Sequence, residues 1–84
     1  MKLIEGQKYI IKFRWGTVKA FYDGECDSFQ GQRCSCCDKK AERGYLFQIP
    51  SNDNTTYEEC KNGAFKEQLP IGRTCIKKLE IMPA

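Results

Sequence analysis

Cys34-Ser35-Cys36-Cys37, followed far downstream by Gly72-Arg73-Thr74-Cys75, constrains this chain more than any other feature. Cys34 and Cys37 form a Cys-x-x-Cys pair, a spacing that lets one tight turn aim two sulfurs at a tetrahedral ion. Cys75 follows a turn containing Gly72, where a short helix is predicted to begin. Eighty-four residues make one domain. A core of that size supplies roughly 3–5 kcal/mol of net stability, so a covalent or metal staple is expected. The domain, 1–84, reads as an N-terminal β-hairpin part (1–32) and a zinc-binding part (33–84).

The compartment decides how cysteines are read. No apolar run approaches a membrane span, and Met1-Lys2-Leu3-Ile4-Glu5-Gly6 turns polar too early for a secretory signal. A cytoplasmic, reducing setting with no membrane partner is therefore expected, where cysteine clusters bind metal before they form disulfides. The formal charge of +3 falls to +1 once four thiolates hold one Zn2+. Any case for nucleic acid must rest on where the charge sits.

The expected fold is α+β and β-rich: an N-terminal β-hairpin or small barrel-like sheet, then a zinc-bound hairpin and a short C-terminal helix. Tyr9, Ile11, Phe13 and Trp15 alternate with Lys8, Lys12 and Arg14, which predicts a half-buried strand over 7–15. A second strand runs from Thr17 to Tyr22. Turning at Trp15-Gly16 would pair Phe13 with Val18, Ile11 with Ala20, and Tyr9 with Tyr22. Tyr45, Phe47 and Ile49 make a third strand, Pro50 to Asn54 a turn, and Thr55-Thr56-Tyr57 the start of a returning strand. Thr74 is a plausible helix cap, and Ile76, Leu79 and Met82 repeat at helical spacing.

One structural Zn2+ is expected on Cys34, Cys37, Cys75 and a fourth ligand. With no histidine in the chain, Cys60 is the choice for the fourth, because a hairpin over 44–60 would carry it back to the knuckle. Cys26 is its rival, and Cys36 is disfavoured because neighbouring side chains point apart. A three-disulfide secreted framework and an iron–sulfur cluster are the alternatives. The thioredoxin-like reading of Cys34-x-x-Cys37 lacks its βαβ context.

Arg33 to Leu79 resembles short zinc-binding modules of prokaryotic and bacteriophage proteins, which run Cys-x-x-Cys, β-hairpin, then Gly-x-x-Cys-x-x-x-Leu opening a helix. The resemblance covers somewhat over half the chain. It implies a zinc-ribbon or treble-clef-like site at Cys34, Cys37 and Cys75 in a small binding protein. The knuckle usually continues with Gly, where this chain has Asp38.

No catalytic constellation is visible, and the commonest general base is absent with histidine. The function expected is non-enzymatic: macromolecular contact with nucleic acid or a nucleic-acid-processing protein, as a phage-type regulator or inhibitor. Lys8, Lys12, Arg14 and Lys19 would share one strand face, with Lys12 opposite Lys19. A phosphate backbone would relieve that repulsion. Trp15 beside Gly16 is the candidate recognition aromatic. The alternatives are a protein–protein inhibitor using the acidic segment Asp23–Asp27, or a disulfide-rich secreted domain.

Overall fold

Among the described residues, the chain forms five antiparallel strands and two short helices. The computed structural model describes residues 2–27, 29, 31–40 and 43–84. Its elements are β1 (Lys8–Phe13), β2 (Gly16–Cys26), β3 (Gly44–Pro50), α1 (Tyr57–Lys61), β4 (Phe65–Gly72), α2 (Arg73–Ile76) and β5 (Glu80–Pro83). They form one open sheet in the order β4-β3-β2-β1-β5. The two parts expected from the sequence, 1–32 and 33–84, therefore share a sheet. Residues 38–43, a charged stretch (Asp38 to Arg43) that the sequence reads as one short helical turn or a loop, lie partly outside the described residues. Among the described residues, no helix is long and apolar enough to cross a membrane.

The first hairpin closes two residues tighter than predicted. Phe13 pairs with Gly16, Ile11 with Val18, Tyr9 with Ala20, and Lys12 with Thr17. Arg14 and Trp15 alone make the loop, and Gly16, at φ 153°, takes the unusual backbone angle so that Trp15 need not. A shift of two keeps every apolar side chain on its face. It removes the expected opposition of Lys12 and Lys19, since Lys19 stands across from Ile10.

The inner face carries the core. Tyr9, Ile11, Phe13, Ala20, Tyr22, Phe47, Leu69, Ile71 and Ile81 are buried there, and Cys34 and Cys75 belong to the same cluster. Phe47 is fully buried, with Tyr9 edge-on to its ring and Tyr22 tilted against it.

Residues 55–61 do not return as a strand. Thr56 caps α1, accepting a bond from the Glu59 amide while the Glu59 carboxylate accepts from the Thr56 amide at 3.0 Å. This capping box satisfies two of the donors a helix start leaves open. Gly63, at φ 108°, lets the chain leave the helix. Tyr57 then packs on Phe21 and donates its hydroxyl to Asp23 at 2.7 Å. Burial, and next the bond to Asp23, push the Tyr57 pKa upward. Thr56→Ala is expected to cost about 1 kcal/mol. Urea unfolding measures this, and an unchanged midpoint would show that the box contributes nothing.

The C-terminal helix is also shorter than its periodicity suggested. α2 ends at Ile76, its N-cap is Gly72 rather than Thr74, and Met82 lies in β5. β5 pairs with β1, setting Ile81 against Ile11. That pairing buries Ile81 and satisfies backbone groups, which a lone helix over 73–82 would not do for β1.

Candidate metal centre

A tight knuckle begins at Arg33. Arg33 and Lys40 form an isolated bridge; the Cys34 amide donates to the Lys39 carbonyl, and the Asp38 amide to the Cys34 carbonyl. Asp38 holds φ 58°, the left-handed conformation that glycine usually supplies at this point of such a turn and that Asp tolerates better than most residues. The Ser35 amide donates to the Pro70 carbonyl at 2.8 Å, docking the knuckle on edge strand β4.

This docking brings the predicted thiols together. The sulfurs of Cys34, Cys37 and Cys75 all lie within 4.8 Å of one another. Sulfurs held tetrahedrally about 2.3 Å from one zinc stand about 3.8 Å apart, so only a small contraction is needed. Three cysteines at this separation are compatible with a metal ion. Cys34 and Cys75 are buried and Cys37 is exposed.

The surroundings shift the two buried thiols in opposite directions. Burial opposes ionisation of Cys34, but hydrogen bonds from the amides of Gly72, Cys37 and Cys36, and from the Cys75 thiol, outweigh it and lower its pKa. The Gly72 amide lies 3.2 Å from Cys34 Sγ. Cys75 moves the other way, pushed up to about 12 by burial first and then by hydrogen bonding with Cys37, Cys34 and Cys36. A bound divalent ion would favour the thiolate form of both sulfurs.

The predicted fourth ligand lies elsewhere. Cys60 sits in α1, not on a returning strand, and its thiol points to the Ala64 carbonyl at 3.7 Å. Burial, and next the Glu59 charge, raise its pKa. The helix turns it away from the trio. Cys36 is nearer: it packs against the core cluster and lines a cavity of about 700 Å³ together with Cys37 and Cys75.

The predicted contact residues divide into two groups. Lys12 and Arg14 line that same cavity together with Glu80, and Phe13, also in its wall, stacks on Trp15. Trp15 is 59% exposed, stacks on Phe13 at 4.6 Å and 12°, and donates its indole N–H to the Ser35 carbonyl at 3.3 Å. Lys12 also faces Glu80 at 3.6 Å, an exposed pair of the kind worth about 0–1 kcal/mol. Lys8 lies instead over the Phe21 ring, and Lys19 is exposed on the outer strand face. Reading the strands alone missed Lys39, Lys40 and Arg73, and took Lys78 as a helix-dipole partner; all four stand close to Cys37 or Cys75 in sequence. Their spacing from Cys37 and Cys75 was the available signal.

Comparison with known proteins finds no matching family model, no matching curated protein and no matching solved structure.

Proposed function

We propose that this chain is a small non-enzymatic zinc-binding module of treble-clef or zinc-ribbon type that acts by contacting nucleic acid, as a phage-type cytoplasmic regulator or inhibitor. The observation that carries this reading is a cavity lined by Cys37, Cys75, Lys12 and Arg14, whose wall residue Phe13 stacks on the exposed Trp15 ring. The order of knuckle, β3–β4 hairpin and Cys75-bearing α2 supports the treble-clef comparison. Cys36, disfavoured by its adjacency to Cys37 and outside the 4.8 Å sulfur cluster, is nonetheless the proposed fourth thiolate, because it lines a cavity together with Cys37 and Cys75 and would reach the ion by a change of its side-chain rotamer. A zinc saturated by thiolates offers water no open coordination position, which argues against hydrolysis.

Trp15 suits base stacking. One ring face lies on Phe13, the indole N–H is anchored to the knuckle, and the ring remains exposed. A pre-positioned aromatic beside cations is the pattern of single-strand binders. The acidic-segment alternative loses one carboxylate, because Asp23 is engaged by Tyr57 and Gln48.

Fluorescence anisotropy with short single- and double-stranded DNA and RNA tests the reading. Affinity is expected to fall by roughly 0.7–0.9 log unit per log unit of salt for each neutralised phosphate. Trp15→Ala is expected to weaken single-strand binding by about 1–3 kcal/mol. Replacing Lys8 and Lys19 together should matter less than replacing Lys12 and Arg14. No binding to any nucleic acid at low salt would leave a protein-directed inhibitor in its place.

A further inference from the structure

A second cavity, of about 410 Å³, is lined by Cys34, Cys37 and Cys75. Its walls carry Lys39, Lys40, Arg43, Arg73 and Lys78, and among the described residues no carboxylate lines it. Gly72 contributes no side chain to the wall, and Thr74 contributes a hydroxyl. The knuckle delivers Lys39 and Lys40 two and three residues after Cys37. α2 and the turn after it place Arg73 and Lys78 two residues before and three after Cys75. The turns that gather the sulfurs therefore gather the cations too.

The charge exceeds what the sulfurs require. A zinc tetrathiolate carries two negative charges. Glu25 and Asp27 share a small neighbouring cavity with Arg43 and Arg73 and offset part of those two. No ion pair reaches Lys39, Lys40 or Lys78 among the described residues. Five cations around one opening is more than a carboxylate needs. A phosphate, with up to two charges and three acceptor oxygens, can use several ammonium and guanidinium donors at once.

We infer that this cavity binds a phosphate group, carried by a small phosphorylated compound or by the backbone of a nucleic-acid strand. Lys39, Lys40 and Lys78 supply point charges, and Arg43 and Arg73 supply planar donor forks. The group is held by these side chains beside the metal centre rather than on the metal. The site shares Cys37, Cys75 and Lys78 with the cavity lined by Lys12 and Arg14, so a strand bound along those two cations would reach it. The inference rests on the metal centre for the shape of the knuckle, and stands whether or not nucleic acid is the partner.

The test titrates inorganic pyrophosphate into the zinc-loaded protein and follows backbone amide shifts. Saturable shifts confined to 39–40 and 72–74 are expected, with affinity at least tenfold weaker in Lys39→Gln/Lys40→Gln and in Arg73→Gln. Lys66→Gln, at an exposed β4 position that lines neither cavity, should leave pyrophosphate affinity unchanged, which separates this site from general surface charge. A decathymidylate oligonucleotide that displaces pyrophosphate assigns the strand backbone as the source. Pyrophosphate binding that the oligonucleotide leaves intact assigns a small phosphorylated compound. The inference is overturned by shifts that never saturate or that spread equally to Lys8 and Lys19. It is overturned equally if the variants retain pyrophosphate affinity and instead lose zinc, since the cations would then serve only the thiolates.

Discussion

Cys34→Ser is expected to abolish stoichiometric zinc and to unfold the knuckle and α2. Cys34 is 1% exposed, belongs to the core cluster, and accepts the Gly72 amide through its sulfur. Apparent zinc binding energies in structural sites are about 10–16 kcal/mol, well above the roughly 3–5 kcal/mol that a core of this size supplies. Serine keeps the shape and loses the thiolate. The outcome is read as metal content per chain and as protease sensitivity between Arg33 and Lys40. Cys37→Ser and Cys75→Ser should behave alike. Cys36→Ser should lower metal retention, whereas Cys60→Ser and Cys26→Ser should keep one zinc. Full zinc in Cys36→Ser with loss in Cys26→Ser would move the fourth ligand to β2.

Gly44→Ala is expected to destabilise the protein by about 3 kcal/mol, the upper end for overpacking a tight site. A Cβ at Gly44 would run into the Ile71 carbonyl oxygen, and would lie 2.7 Å from Phe29 Cζ and 2.9 Å from Gly72 Cα. Gly44 and Gly72 are directly paired across β3 and β4, so the added methyl would push β4 outward. The Gly72 amide that supports Cys34 moves with it, and zinc affinity should fall as well. Urea unfolding at fixed zinc and a competitive chelator titration measure the two effects. A midpoint equal to that of the unaltered protein would show that the strands separate at little cost.

The parts legible in the sequence were those set by local pattern. Tyr9, Ile11 and Phe13 alternate with lysines, and that period alone places β1 and its buried face. The Cys34-x-x-Cys37 spacing and Cys75 after Gly72 are likewise local signals, and the structure brings all three sulfurs together. The errors came where two local signals compete. Thr55-Thr56-Tyr57 has strand-forming residues, yet Thr56 with Glu59 three positions later is a capping box, and it starts a helix. That misreading carried Cys60 into the metal site. Ile76, Leu79 and Met82 fit a helix, but Ile81 gains burial only by pairing with β1. Tertiary pairing overrides spacing there, and no local window contains it. The cationic ring around the trio depends on the knuckle docking against β4 through Ser35 and Pro70, a contact between residues 35 positions apart.

Intact native mass measurement under reducing conditions, with and without chelator, decides whether one zinc holds this fold together. A folded chain carrying one zinc, with the corresponding protons lost, is expected, and it should lose its compact charge-state distribution when the chelator removes the metal. A compact, metal-free chain under the same conditions would contradict it. So would a mass lower than the sequence mass by about two hydrogens for each disulfide, or the mass of an iron–sulfur cluster.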